Sequence, residues 1–253
     1  MSEEINQKFE SKELLELKQL ISHFNNNLAN LKSRLAIWKS MNDFTLENAI
    51  YKHKTEYAFF TIKNSLLLSC FIDIANLGID NDSRSLSLVR IMSFLDQEKI
   101  KNELRNVRKN TRVQIDFGIK ASPKVIIDNL YEMQTKRRTE FFEDSLKKLN
   151  EKYTEPTFKA KLKLFWDVRR KSAAHIDLSN KDGELKFFDI SKLGLTWDDL
   201  DLIVKNFEEI NYFLFAVVEA AEVDFQSFDN DLSMQIGKFW EPFLKFRLAE
   251  PSA

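Results

Sequence analysis

The sequence has few of the residues that turn a chain or break a helix. Its 253 residues include 5 glycines and 4 prolines. A fold of many strands needs turn signals between its strands, and glycine and proline are the strongest of these. The shortage therefore predicts an all-α protein, and a chain of this length can bury a sizeable core.

Cysteine and histidine are also scarce, which limits the kinds of site that the chain can build. Cys70 is the single cysteine, so an intrachain disulfide and a multi-thiolate metal site are excluded. Within LLLSCFID it is predicted to be a small buried hydrophobe. Two of the 3 histidines, His23 and His53, lack a partner at metal-ligand spacing. The sequence therefore predicts no metal and no cofactor.

Neither sign of charge dominates. The 38 basic and 39 acidic side chains give a net charge of -1, so binding to nucleic acid or to an anionic surface would have to be local. The acidic N-terminal segment lacks the apolar core of a signal peptide. The longest apolar run, from Leu66 to Leu77, is interrupted and is shorter than the ~20 residues of a bilayer span. We therefore expect a cytoplasmic chain with no membrane partner.

Helical periodicity is what the sequence does have. A stripe of apolar residues at three- and four-residue spacing predicts a helix over residues 11–40. Asp43 or Thr45 is the expected N-cap of a second helix, which would end before Gly78 and be the most buried one. The stripe consists of Leu14, Leu17, Leu20, Ile21, Phe24, Leu28, Leu31, Leu35 and Trp38.

Capping signals predict the later helices. Ser83 or Ser85 is expected to cap a short helix that ends at 95, and another helix is expected over 97–111. Further helices are predicted over 122–152, from Pro156 to about 178, and over 197–222 after a capping box that begins at Thr196. LKFFDI, residues 185–190, is a short strand or a loop. An aromatic tail, interrupted by Gly237 and Pro242, is expected to pack on the body.

The segment Phe165 to Asp177, FWDVRRKSAAHID, carries the chemistry. His175 lies five and six residues after Arg170 and Arg169. Neutral imidazole can take a proton from a ribose 2′-hydroxyl or return one to the leaving oxygen. A guanidinium can hold two phosphate oxygens and offset the charge that develops there. This set of residues suits metal-free cleavage of an RNA phosphodiester.

Helical geometry indicates that the site requires two chains. At about 100° per residue, His175 lies roughly 140° from Arg170 and about 240° from Arg169 around the helix. One helix face cannot present all three side by side. A two-fold partner could complete the site with its own copy of the helix, so a homodimer is expected.

This segment resembles the R-x4–6-H motif of the HEPN superfamily, and it is most similar to the AbiU-type abortive-infection branch. In that register Arg169 is the motif arginine, Lys171 the lysine, Ala174 the small residue and His175 the histidine, followed by Asp177. Arg170 also fits as the motif arginine. DSRSLSLVRIMSFL, residues 82–95, is similar to a Ser-Leu stretch of the same branch.

The helix signals predict a single α-helical domain, 1–253, of about seven helices, and the resemblance implies that it is a HEPN-like bundle. Its core would span 44–222, with 1–43 as an N-terminal helical extension. It also implies a metal-independent endoribonuclease of a toxin or phage-defence system. Arg169, Arg170, Lys171 and His175 would be catalytic, and Asp167 and Asp177 would orient or neutralise the cations. An antitoxin or another defence protein would be a further partner.

A second basic feature is a candidate RNA contact. Lys101, Arg105, Arg108 and Arg112 recur at helical spacing beside an apolar face. Such a stripe can bind an RNA backbone. It is equally typical of a solvated face or of a surface that docks an acidic antitoxin.

Three functions remain open from the sequence. The first is the ribonuclease. The second is a noncatalytic HEPN module that binds a nucleotide, an RNA or a protein partner. The third is a purely structural helical protein, in which the motif is accidental.

Overall fold

The computed structural model describes residues 10–48, 56–80, 85–110, 124–174, 194–221 and 225–248. Within those ranges the chain forms a bundle of eight helices and no strands. The predicted all-α fold is confirmed. LKFFDI and Ser122-Pro123 lie outside the described residues. The helices are α1 Lys12–Asn48, α2 Glu56–Ile79, α3 Leu88–Leu95, α4 Glu98–Asn110, α5 Lys124–Thr154, α6 Pro156–Ala174, α7 Trp197–Val218 and α8 Phe225–Leu248.

Helix α1 is longer than its periodicity suggested. Every residue of the predicted apolar stripe is buried, as is Met41 one turn further on. Asp43 and Thr45, the expected N-caps of the next helix, lie inside α1 instead. The first glycine is Gly78 and the first proline is Pro123, so no residue that strongly breaks a helix interrupts this part of the chain. The stripe belongs to the same hydrophobic core as the later helices.

Helix α2 packs against α1 and α6. Its C-terminal half is buried, including Cys70, and burial raises the pKa of the Cys70 thiol to about 12. Its N-terminal half is more exposed: the Ile62 side chain is 56% exposed. The prediction that this is the most buried helix is therefore wrong for its first half.

Part of α2 has the length and composition of a bilayer span. Phe59–Ile79 covers 21 residues with a mean hydropathy of 1.3. The shorter apolar run of the sequence analysis, Leu66 to Leu77, lies inside this segment. A third of the segment is buried, including Cys70 and Ile74, and one such helix is weak evidence for a membrane.

Gly78 lies in the last turn of α2, which ends one residue later at Ile79, so the prediction that this glycine marks the end of the helix is confirmed. Gly78 also allows α2 and α6 to approach closely, because a Cβ atom there would meet Leu162 Cδ2 of α6 at 2.6 Å. Leu162 is itself buried, with 1% exposure, so it has little room to move.

We expect Gly78→Ala to lower the free energy of unfolding by about 1–3 kcal/mol, the usual cost of overpacking a core. Urea denaturation measures the change. Gly237→Ala in α8 is the matched control, because a Cβ there meets nothing within 4 Å. Alanine favours the helix, so the control should be neutral or slightly stabilising. Equal stability of the two variants would contradict the close approach.

Helix α3 begins at a serine that the sequence did not single out. The N-cap is Ser87, whose hydroxyl accepts from the Arg90 amide, rather than Ser83 or Ser85. The Ser85 and Ser87 hydroxyls both donate to the backbone carbonyl of Asp80, which directly follows α2. These bonds attach the start of α3 to the end of α2.

The predicted signals for α6 and α7 are confirmed. Helix α6 begins at Pro156. Thr196 caps α7 through a reciprocal pair of bonds with Asp199. Asp199 also forms an ion pair with Lys161 of α6 at 2.5 Å. Its carboxylate thus both caps α7 and links that helix to α6.

The C-terminal segment is one helix that runs through both of its expected breaks. Gly237 and Pro242 lie inside α8, so the predicted interruption is wrong. Its first turns pack on the body through Lys32 of α1, which is buried and pairs with Glu208 of α7 and with Asp229 at 2.7 Å. Lys32 also lies over the Phe225 ring, 4.7 Å from its centroid. A buried cation of α1 therefore joins α7 and α8.

Candidate active site

Helix α6 positions the arginine pair. Phe158, Leu162, Phe165 and Val168 are all buried at helical spacing, and Phe165 makes an edge contact with the Phe71 ring of α2. The apolar lead-in to the motif is therefore confirmed as an anchored face. Helix α6 was predicted to reach about 178; its described part ends at Ala174.

Arg169 points toward the end of α2. Its Nη1 donates to Asp80 Oδ2 at 2.9 Å, and the side chains are 31% and 16% exposed. The guanidinium also lies over the Trp166 ring, 4.9 Å from its centroid. Two contacts thus fix Arg169, and a bond through one nitrogen leaves other N–H groups of the guanidinium for a further acceptor.

Arg170 has a different environment. Its side chain is 69% exposed, and its ion pair with Asp167 of the same helix is 3.5 Å long. An exposed pair of this kind holds a side chain weakly. Asp167 therefore accompanies Arg170 and not Arg169. The backbone of Lys171 is helical, whereas its side chain, His175 and Asp177 lie outside the described residues.

A polar cavity of about 340 Å³ adjoins Arg169. Its wall is formed by helices α1, α2 and α6 and by residues 85 and 86, which precede α3. Arg169 lines the cavity and Arg170 does not. The other lining residues are Asn27, Asn30, Arg34, Asp73, Asn76, Leu77, Asp80, Ser85 and Leu86.

Both segments that carry the family resemblance meet at Asp80. Its carboxylate accepts from Arg169 of the motif, and its backbone carbonyl accepts from Ser85 and Ser87 of the Ser-Leu stretch. Arg169 and Asp80 are 89 positions apart in the chain. Residues 82–84 of that stretch lie outside the described residues.

The charges of the cavity balance in pairs. Arg34 of α1 forms an ion pair with Asp73 of α2, and Arg169 forms one with Asp80. Burial raises the pKa of the Asp73 carboxyl, and the Arg34 guanidinium offsets this rise only in part. Asn76 also lines the cavity, and its buried Oδ1 accepts no hydrogen bond from the described part of the chain.

The basic stripe of α4 is not a free cationic surface. Arg108 is buried and donates to the Ala216 and Val217 carbonyls at the end of α7, the former at 3.0 Å. Burial lowers the pKa of its guanidinium to about 10, so it stays charged at neutral pH. Its prediction as an RNA contact is wrong, because these carbonyls and the Phe142 ring, 4.6 Å away, surround it.

The other members of the stripe are engaged or lie outside the described part of the chain. Arg105 binds both oxygens of Glu143 on α5, at 2.7 and 3.3 Å. Lys101 pairs with Glu98 at 3.2 Å. Arg112 lies outside the described residues. Arg105 and Lys101 therefore face carboxylates that an RNA backbone would have to displace.

Within the described ranges, no group of three or more histidine, cysteine, aspartate or glutamate side chains could hold a metal ion. Metal independence stays a prediction, because His175 and its neighbours lie outside those ranges.

Sequence reasoning missed the asparagines and both carboxylates of the cavity. The signal was present in α2, where Asp73 and Asn76 interrupt an apolar run, and in Asp80 directly after the helix, at the same helical spacing. It was present in α1 as Asn27, Asn30 and Arg34 on one face. A polar stripe on an apolar helix predicts a polar partner or a polar cavity.

The comparison with protein families gave one match. The model of the family described as AbiU2, HEPN_AbiU2, matches residues 14–235. This range includes most of α1 and the start of α8. No curated protein and no solved structure matches the chain.

Proposed function

Because this chain belongs to the AbiU2 family of the HEPN superfamily, we propose that it is a metal-independent endoribonuclease of abortive-infection type. In this proposal His175 is the acid/base group, and Arg169 rather than Arg170 holds the scissile phosphate.

The observation that carries the proposal is the anchoring of Arg169. The motif arginine is fixed by Asp80 and Trp166 at the edge of a polar cavity, on the helix that leads to His175. Catalysis of phosphoryl transfer depends on cations held in place before the charge develops. Arg170 is exposed and weakly paired, so it is a poorer candidate for that task.

The reaction needs no group beyond the RNA and these side chains. The neutral imidazole removes the proton of the ribose 2′-hydroxyl, and the 2′-oxygen attacks phosphorus. The bond from phosphorus to the 5′-oxygen breaks, and the imidazolium formed in the first step gives its proton to that leaving oxygen. The products are a 2′,3′-cyclic phosphate and a 5′-hydroxyl end. The Arg169 guanidinium balances the charge on the non-bridging oxygens throughout.

A homodimer would bring the groups together. Arg169 points toward the end of α2. If the helical spacing of the sequence continues beyond Ala174, His175 is directed away from Arg169. We propose that the histidine acting on a given phosphate comes from the second copy of the chain. In that arrangement two copies of the motif lie close to one two-fold axis.

The proposal predicts a particular substrate and product chemistry. Purified protein incubated with a labelled RNA in EDTA should leave fragments that end in 2′,3′-cyclic phosphate, which are separable from 3′-phosphate ends by gel electrophoresis. A single 2′-deoxy or 2′-O-methyl substitution at the cut site should block cleavage there, because the nucleophile is gone. Cleavage elsewhere in the same RNA is the internal control.

Cutting of the 2′-deoxy substrate at the rate of RNA, or an absolute requirement for magnesium, would contradict the mechanism. Tight RNA binding by a dimer without any cleavage would favour the noncatalytic HEPN module instead.

A further inference from the structure

A second cavity lies between the end of α5, the second half of α7 and the start of α8, and the proposed ribonuclease reaction does not use it. Its volume is about 560 Å³, which is within the range of ligand sites. Three aromatic rings, four carboxylates and two ammonium groups line this aromatic cavity. It shares no lining residue with the cavity beside Arg169, so a ligand bound here would leave the motif arginine accessible.

The apolar part of the aromatic cavity consists of half-buried rings. Tyr212 and Phe213 of α7 contact each other edge to face, with centroids 5.4 Å apart, and Phe225 of α8 also lines the cavity. The face of an aromatic ring attracts a cation. Phe225 shows this property, because the Lys32 ammonium lies 4.7 Å from its centroid. The cavity therefore offers apolar surface that tolerates a positive charge.

The lining carries an excess of negative charge. Of its two ammonium groups, Lys152 pairs with a lining carboxylate, Glu209, at 2.5 Å. Lys148 pairs instead with Asp144, which lies outside the lining, at 2.7 Å. Most carboxylates of the lining therefore have no compensating ammonium within it.

Glu155 is the lining carboxylate with the fewest contacts. It is half-buried between α5 and α6, and within the described ranges its carboxylate forms no ion pair and no hydrogen bond. The pKa of Lys152 is raised by its hydrogen bond with Glu209 and, to a smaller extent, by the charge of Glu155. A half-buried carboxylate beside aromatic rings can accept charge-assisted hydrogen bonds from a further cation.

An arginine side chain matches these groups. Its planar guanidinium stacks on aromatic rings and can bind a carboxylate through two N–H groups. A guanidinium is also more weakly hydrated than an ammonium, so its transfer from water into a partly apolar cavity costs less. Its stem of methylene groups covers apolar surface.

The same face of α5 continues beyond the aromatic cavity to an exposed apolar side chain. Phe141 precedes Lys148 by seven residues, so it lies on the same side of the helix, about 10 Å away. Its side chain is 44% exposed. An extended polypeptide covers that distance with about three residues at ~3.3 Å each, whereas a small cation held in the cavity does not reach it.

We propose that the aromatic cavity takes an arginine side chain from a partner protein, and that an apolar residue of the same partner segment packs on Phe141. The partner surface is therefore basic and apolar. This docking site is independent of the proposed ribonuclease reaction, because it uses none of the residues assigned to catalysis.

Binding of small probes to the full-length protein tests the cavity. The protein would be labelled with fluorotyrosine for ¹⁹F NMR, and the Tyr212 signal among those of the 5 tyrosines is the one that Tyr212→Phe removes. N-acetyl-arginine amide should shift this signal saturably. N-acetyl-citrulline amide has nearly the same shape without the charge, and it should bind about 10-fold more weakly or worse. Equal binding of the two probes, or no saturable shift with either, would overturn the site.

Two variants and a matched control locate the binding. Glu155→Gln and Glu151→Gln each remove one lining carboxylate and should weaken the arginine probe by about 3-fold, the upper range for an exposed ion pair. Glu151 is 62% exposed, so its replacement leaves the fold intact. Glu140→Gln removes the same charge from an exposed position of α5 outside the lining, and it should bind as wild type does. Wild-type affinity in both lining variants, or an equal loss in the control, would refute the assignment.

Two peptides separate a partner protein from a free small cation. Acetyl-LGGR-amide and its reverse, acetyl-RGGL-amide, each place a leucine three residues from the arginine. The better of the two should bind about 3-fold more tightly than N-acetyl-arginine amide, because its leucine buries apolar surface on Phe141. Phe141→Ala should remove that gain and leave the affinity for N-acetyl-arginine amide unchanged. No gain from either peptide, or a gain that persists in Phe141→Ala, would overturn the docking of a partner segment.

Discussion

His175→Ala is expected to lower the rate of RNA cleavage by about 10²- to 10⁴-fold, while the helical content and the oligomeric state stay unchanged. Loss of a general acid/base group has this cost, which corresponds to about 3–5 kcal/mol of activation free energy. Single-turnover cleavage of a labelled RNA measures it, and circular dichroism and light scattering check the fold and the oligomeric state.

His23→Ala is the matched control for that experiment. His23 lies on an exposed face of α1 and outside the lining of the cavity. His23→Ala should cleave RNA within about two-fold of the wild-type rate, as expected of a surface substitution. If His175→Ala cleaves RNA as fast as His23→Ala, the motif histidine has no catalytic role.

Arg169→Ala and Arg170→Ala are expected to differ by about 10²-fold or more in the cleavage rate. Arg169 is fixed by Asp80 and Trp166 at the cavity, and loss of a positioned group that stabilises developing charge typically costs 10²–10³-fold. Arg170 is 69% exposed, so its replacement should lower the cleavage rate by only a few-fold, through the loss of general attraction for the RNA backbone. Raised salt should reduce the loss of cleavage rate in Arg170→Ala and leave the loss in Arg169→Ala unchanged.

Arg169→Ala also removes the Arg169 guanidinium from beside the Asp80 carboxylate, and the negative charge of Asp80 then repels the phosphate. The double variant Arg169→Ala/Asp80→Asn removes the charge and keeps the side-chain shape. We expect no recovery of activity, because the guanidinium is still missing. Recovery to near the wild-type rate, or equal small losses in the two single arginine variants, would show that Arg169 does not hold the phosphate.

The parts of the fold that local patterns determine were predictable. The apolar stripe of α1 is buried at each predicted position, because burial of one helix face depends on spacing alone. The capping box of α7 is confirmed, because its two bonds join Thr196 and Asp199 within one turn. The same reasoning found the helix that carries the motif, from Pro156 onward.

The parts that depend on distant contacts were not predictable in this way. Helical spacing places Arg108 with Lys101 and Arg105, but the end of α7, more than 100 positions away, surrounds it and removes it from the surface. The choice between Arg169 and Arg170 likewise depends on Asp80, which no local pattern connects to α6. The close approach of Gly78 to Leu162 of α6 is likewise a contact between distant positions that no local pattern shows.

The buried thiol of Cys70 makes the native chain suitable for site-directed labelling. With a pKa of about 12, on the order of one thiol in 10⁵ is ionised at pH 7, and the thiolate is the form that reacts with maleimides and methanethiosulfonates. Because the sequence has 1 cysteine, a second one introduced at an exposed position would be the single fast-reacting thiol in each copy. A spin label at residue 170 would then act as a spectroscopic ruler between the two α6 helices of a dimer, with no need to remove the native cysteine first.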